Sequence, residues 1–170
     1  MSVFTPRNVE RARAIIAQYP EPKSALLPLF HLVQDQDGWV SDESIAEIAG
    51  MVGCTPAEAQ GTMSFYTMYK RHPVGRFLVS VCTCPVSMVH GAYEILHGLE
   101  ARYADDPDVT VEEVECNAAC DKVPNMQVNY EYHENLTLAS AIEIIEEYKS
   151  GARVARGISG GRMEAGATNA

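Results

Sequence analysis

The sequence predicts an α+β protein in two parts: an N-terminal helical bundle over residues 1–72, then a small mixed sheet with helices packed on it over residues 73–150. Three observations predict this. As far as Tyr69, apolar residues recur every three to four positions and capping signals punctuate the pattern. From Phe77 onward, short β-branched runs with period two take over. The order of elements from there is β-α-β-β-α, which suits one layer of strands covered by helices.

The elements follow in order. Thr5 caps a first helix with Pro6 at its first position, and Val9, Ala12, Ile16 and Tyr19 share its apolar face. Pro20 and Pro22 end it. A second helix covers residues 23–36, with Leu26, Leu29, Phe30 and Val33 inward and Pro28 in the first turn, where a missing N–H costs least. Asp37-Gly38 is a turn, and Trp39 and Val40 are expected to be buried beyond it. A third helix starts at Ser41, carries Ile45, Ile48, Ala49 and Val52 on one face, and stops at Gly53. Thr55-Pro56-Ala57-Glu58 is a capping box that opens a fourth helix running toward Tyr69, with Phe65, Tyr66 and Tyr69 expected to pack between helices. Residues 71–75 are a linker.

Phe77-Leu78-Val79-Ser80-Val81 is a strand. Residues 87–103 read as one helix with Tyr93, Leu96 and Leu99 toward the core. Residues 109–115 and 126–132 alternate as strands, the second with Met126, Val128, Tyr130 and Tyr132 on one face. Thr137 caps a last helix with Leu138, Ala141, Ile142 and Ile145 inward. Residues 151–170 are rich in glycine and poor in large apolar groups, so they are expected to form a tail, flexible when free and docked on a partner when bound.

The composition excludes several function classes. A formal net charge of −10 with no block of Lys or Arg argues against nucleic acid and anionic membrane surfaces. No apolar stretch approaches the ~20 residues that cross a bilayer. Arg7, Arg11 and Arg13 are interrupted by Glu10 and belong to an ordinary helix rather than a targeting segment. The expectation is a cytoplasmic protein without direct membrane insertion. There is no Gly-rich phosphate loop, so the chain is not expected to bind NADH by itself. His31, His72, His90, His97 and His133 lack metal-binding spacing.

Five cysteines are present, an odd number, and four of them fall between residues 82 and 120. Such clustering in a reducing compartment points to metal or redox chemistry rather than a disulfide framework. Cys82-Thr83-Cys84 lies where the first strand ends, and Cys116-Asn117-Ala118-Ala119-Cys120 where the second ends. Loops at neighbouring strand ends converge, so the two segments are expected to meet and to clamp the irons of a [2Fe–2S] cluster between thiolates. Cys54, just before a capping box, is expected to be a buried free thiol.

Five segments then carry a resemblance: Gly61-Thr62-Met63-Ser64-Phe65-Tyr66-Thr67, Pro73-Val74-Gly75, Val81-Cys82-Thr83, Val114-Glu115-Cys116-Asn117-Ala118-Ala119-Cys120, and Pro124-Asn125-Met126-Gln127-Val128-Asn129. In this order, they resemble the 24 kDa-type (E chain) subunit of NADH:quinone oxidoreductase, respiratory complex I. Similar subunits occur in NAD-linked hydrogenases and formate dehydrogenases. The resemblance implies a helical N-terminal region followed by a thioredoxin-like [2Fe–2S] ferredoxin domain. It implies docking on a partner subunit that carries FMN and oxidises NADH, contacts with other peripheral-arm subunits, and a position on the cytoplasmic side of the inner membrane. The isolated chain is not expected to be catalytic.

In the family pattern C-x4-C is followed later by C-x3-C. Cys82, Cys116 and Cys120 match three ligand positions, but the fourth is Ser87, and Cys84 is an additional cysteine. Three readings stay open: Cys84 supplies the missing thiolate, Ser87 ligates as an alkoxide, or the cluster is lost and the subunit is structural. A rival of another class is a dithiol–disulfide protein using Cys82 and Cys84.

Overall fold

A computed structural model describes residues 3–157. The chain divides into two compact units, Met1–Pro73 and Val74–Ala170.

The first unit is helical. The helices are α1 (Pro6–Ile16), α2 (Leu26–Asp37, entered through a 3-10 turn at Pro22–Ala25), α3 (Asp42–Val52) and α4 (Pro56–Ser64). The hydroxyls of Thr5, Ser41 and Thr55 each accept a backbone N–H three residues ahead, supplying partners to amides that a helix start leaves orphaned. Leu29, Phe30, Val33, Ile48 and Ala49 are fully buried and form the centre of the unit.

Several expectations need correction here. Trp39 is only half-buried, and Val40 alone is enclosed. Helix α4 stops at Ser64 instead of reaching Tyr69. The reason lies in α2: the buried Gln34 side chain accepts from Lys70 N (2.7 Å) and donates to Met68 O (2.9 Å), while Val40 N donates to Lys70 O. These bonds use backbone groups that a continued helix would need. Tyr69 is buried and its hydroxyl reaches Leu27 O, but Phe65 and Tyr66 turn outward, Phe65 being 82% exposed. Tyr19 is exposed as well.

The second unit contains β1 (Phe77–Cys82), α5 (Pro85–Val89), α6 (Ala92–Tyr103), β2 (Val109–Val114), β3 (Met126–Val128), β4 (Glu131–His133) and α7 (Leu138–Ser150). The sheet order is β2-β1-β3-β4, with β1 and β2 parallel and the other neighbours antiparallel. All six residues of β1 are buried, as a central strand requires. Phe77, Val79 and Val81 alternate on the face that packs with Leu96 and Leu99 of α6 and Ile145 and Tyr148 of α7.

The expected helix over residues 87–103 is two helices. Gly91 has φ +90°, a conformation that an L side chain resists, and it separates α5 from α6. Tyr93 consequently faces out, 38% exposed, rather than into the core. The expected strand over residues 126–132 is a hairpin. Asn129 and Tyr130 both have positive φ (48° and 67°) and form its two-residue turn, with Val128 opposite Glu131. Tyr130 therefore sits at the turn and does not share a face with Met126. The Asn129 side chain accepts from Leu78 N (2.7 Å) and donates to Arg76 O (3.0 Å) and Arg156 O (2.6 Å), tying the hairpin to β1 and to the end of the described chain.

Part of the expected tail is likewise packed. Gly151 ends α7, Arg153 pairs with Glu147, and Ala155 joins the core of this unit at 6% exposure. Residues 158–170 of that tail lie outside the described residues.

His133, buried on β4, pairs through Nε2 with the Tyr148 hydroxyl at 3.1 Å. Burial, assisted by the charge of Arg153, holds its imidazole below the ordinary 6.5, against a smaller upward pull from Glu131 and Glu147. A folded pKa below the unfolded one means the unfolded chain takes up the proton first. This contribution to stability is therefore complete above the unfolded value and is lost as pH falls through the depressed one. Thermal melts at about pH 7.5 and about pH 5.5 are expected to show a fall that His133→Gln lessens; an unchanged pH slope in that variant would contradict the assignment.

Candidate metal centre

Parallel pairing of β1 and β2 positions the site. Cys82 and Val114, the last residues of the two strands, are register partners, so Cys84 and Cys116 each lie two residues beyond the same edge of the sheet. Thr83 staples the two exits together: its N–H donates to Val114 O (2.9 Å) and its hydroxyl to Glu113 Oε1 (2.7 Å). The Tyr93 hydroxyl donates to the same carboxylate oxygen at 3.1 Å.

The sulfurs run in a chain. Cys116 Sγ lies 3.6 Å from Cys120 Sγ, and Cys120 Sγ lies 4.0 Å from Cys84 Sγ. Cys82 is fully buried and Cys84 nearly so, whereas Cys116 and Cys120 face outward. Ser87, in the first turn of α5, is fully buried; its N–H donates to Cys84 Sγ at 3.5 Å and its hydroxyl has no partner. A buried hydroxyl in that state costs about 1–3 kcal/mol unless something accepts from it.

The segment between Cys116 and Cys120 is held in shape by amides that sequence reasoning missed. Asn117 Nδ2 donates to Ser80 O and to Asn125 Oδ1, Asn125 Nδ2 donates to Ala119 O, and the Tyr132 hydroxyl donates to Asn117 O at 2.6 Å. Ala118, at φ 58°, turns its N–H onto Cys116 Sγ at 3.3 Å. None of these partners has a local sequence signal, except that Asn117 and Asn125 lie within the family-like segments around the cysteines.

Electrostatics separates the thiols. The Ser87 N–H, more than offsetting burial, draws the Cys84 thiol below its ordinary value, with Cys82 and Cys120 helping as donors. Hydrogen bonding to Cys116 and Cys84, together with their charge, pushes Cys120 up to about 11. A cluster of mutually bonded thiols behaves this way: the sulfur that receives the most hydrogen bonds ionises first, and its neighbours keep their protons by donating to it. Among the described residues no three His, Cys, Asp or Glu side chains surround a single point as ligands of one ion. Four thiols strung along two loops, with no imidazole or carboxylate among them, form a soft donor set of the type that holds iron–sulfur clusters rather than a lone hard cation.

Cys54, expected to be a buried thiol, is instead half-exposed and lines a cavity of about 700 Å³ in the helical unit, together with Lys23, Glu58, Phe65 and Tyr66.

A mixed four-stranded sheet flanked by helices, with paired cysteine loops leaving the same edge of two parallel strands, defines a small redox-type α+β domain. The family of thioredoxin-like [2Fe–2S] ferredoxins matches residues 12–149, and the chain belongs to it. The E-type subunit of the NADH-quinone oxidoreductase of Mycobacterium tuberculosis (strain ATCC 25618 / H37Rv) is 40% identical over 146 residues, which cover 82% of this chain and 58% of that one. Its namesake from Rickettsia prowazekii (strain Madrid E) is 33% identical over 155 residues, 85% of this chain and 88% of that one. The mitochondrial NADH dehydrogenase [ubiquinone] flavoprotein 2 of Dictyostelium discoideum is 35% identical over 157 residues, covering 86% and 64%. The chain thus spans little more than half the length of the mycobacterial relatives it matches. Among solved structures, a chain of NAD+-reducing [NiFe]-hydrogenase in the air-oxidized state aligns with a TM-score of 0.63 over 75% of this chain and 23% of that one. At 21% identity it shares the fold alone.

Proposed function

We propose that this chain is the one-electron-carrying subunit of an NADH-oxidising, quinone-reducing complex. It would hold a [2Fe–2S] cluster on Cys82, Cys116, Cys120 and a fourth ligand drawn from Cys84 or Ser87. The observation that carries this reading is the run of three sulfurs separated by 3.6 and 4.0 Å, reached from two strand ends. Family membership and the names of relatives at 33–40% identity support it. When bound, the cluster supplies a one-electron couple.

The chain's own residues do the rest. Thr83 and Glu113 hold the two loop exits together, Asn117, Asn125 and Tyr132 fix the C-x3-C loop, and backbone N–H groups of Ser87 and Ala118 aim at sulfur. Donors to sulfur stabilise negative charge there and so help set the potential.

FMN and NADH belong, in this reading, to a partner subunit, and other peripheral-arm subunits complete the assembly on the cytoplasmic face of the inner membrane. No helix among the described residues is long and apolar enough to cross a membrane. The exposed Phe65 and the neighbouring cavity suit the helical unit to docking.

Anaerobically purified full-length chain, reduced with dithionite, is expected to give the EPR signal of a [2Fe–2S]+ centre, with equal iron and acid-labile sulfide. Absence of both leaves only a structural subunit, the reading that a serine at position 87 favours. A dithiol role for Cys82 and Cys84 leaves the spacing of Cys116 and Cys120 without purpose.

A further inference from the structure

We infer that Cys84, not Ser87, is the fourth ligand, so that this chain holds its cluster with a C-x-C pair and a C-x3-C pair. Ser87 is then a positioning residue behind the Cys84 sulfur. This rests on the cluster reading above and deepens it.

Three observations converge. Cys84 Sγ stands 4.0 Å from Cys120 Sγ, within the same run of sulfurs that includes Cys116. Cys84 follows the buried Cys82 by two residues and caps α5, with φ −53° and ψ 158°. Cys82 and Cys84 therefore offer two thiols from one short exit. Ser87 lies on the inner side of this arrangement, wholly buried, and its N–H grips the Cys84 sulfur from behind.

Chemistry points the same way. A thiol gives up its proton far more readily than a serine hydroxyl, and thiolate is the softer donor. Ligation exchanges the Cys84 thiol proton, lost to solvent, for a sulfur–iron bond, and no oxidation state changes. The Ser87 hydroxyl keeps its proton. It is an orphaned donor sealed from water beside a sulfur, and a thiolate or sulfide acceptor satisfies it. A hydrogen bond of that type raises the potential of a cluster.

The test is reconstitution of the full chain under anaerobic conditions with ferric iron and sulfide. Wild type, Cys84→Ala, Cys84→Ser, Ser87→Ala and, as control, Cys54→Ala are compared by iron and sulfide content, EPR and redox titration, with far-UV circular dichroism to confirm folding. Cys84→Ala is expected to lose most of its iron, and Cys84→Ser to keep at most a centre with displaced g-values. Ser87→Ala keeps the full iron content and the wild-type g-values but titrates at a lower potential, which a merely structural serine would not move. Loss of iron from folded Ser87→Ala overturns the assignment, as does full retention with an unchanged spectrum in Cys84→Ala. An unchanged potential in Ser87→Ala removes the hydroxyl's role. If wild type and the Cys54→Ala control both take up no iron, the cluster reading itself fails, a result distinct from any of these.

Discussion

Replacing Cys120 by alanine is expected to abolish iron binding, more completely than any other single cysteine change. Cys120 is the middle sulfur of the run, 3.6 Å from Cys116 and 4.0 Å from Cys84, and it links the thiols of the two segments. Its loss removes a ligand and also separates the remaining thiols. The fold should survive, because Cys120 is exposed and contributes nothing to the apolar core of its unit. Iron content near zero with an unchanged circular dichroism spectrum is the expected pair of readings. A folded Cys120→Ala protein that retains its iron and its EPR signal would refute the site as a whole, since iron would then be held without the sulfur that links the other thiols.

The second large effect is on stability. Asn129→Ala is expected to cost roughly 3–5 kcal/mol in the sheet unit. Three side-chain bonds disappear together, those to Leu78 N, Arg76 O and Arg156 O, from a residue that is fully buried. Each bond contributes about 1 kcal/mol net, and the Leu78 amide left without its side-chain partner adds a desolvation penalty. Alanine also tolerates the observed φ of 48° less well than asparagine does. Asn129→Gly separates the two causes, because glycine accepts the backbone conformation but makes none of the bonds. Denaturant melts followed by far-UV circular dichroism, with hydrogen exchange at the Leu78 amide, measure both. A melt of Asn129→Ala within about 1 kcal/mol of wild type is incompatible with this role.

What could be read in the sequence follows from how local each signal is. Thr5, Ser41, Thr55 and Thr137 announce helix starts because the bond each makes spans three residues. The change of hydrophobic period near Phe77 lies close to the division between the two compact units, Met1–Pro73 and Val74–Ala170. The hairpin over residues 126–133 was not legible. Its turn is Asn-Tyr rather than Asn-Gly, and a tyrosine at positive φ is rare enough that the alternation reads straight through it. The end of α4 was hidden too, since it is decided by Gln34, roughly thirty positions earlier.

At the site, cysteine spacing and the family motifs singled out all four sulfurs, and the structure brings the sulfurs of Cys84, Cys116 and Cys120 within reach of one another. Ser87 was legible as a departure from the family pattern but not as a buried hydroxyl. The staple made by Thr83, Glu113 and Tyr93 joins residues 30 and 20 positions apart, through a glutamate that in sequence looks like part of an ordinary solvated face and a tyrosine that reads as core.

The parallel pairing of β1 with β2 also bears on how the protein is made. Cys84 and Cys120 are separated by 36 positions, and the strand exits become neighbours only after a helical crossover has folded back and β2 has docked. A nascent chain leaving the ribosome therefore carries Cys82 and Cys84 as unprotected thiols throughout the synthesis of the crossover. Loading with metal must follow translation of both halves, and until then the early pair depends on the reducing power of its surroundings to stay unoxidised.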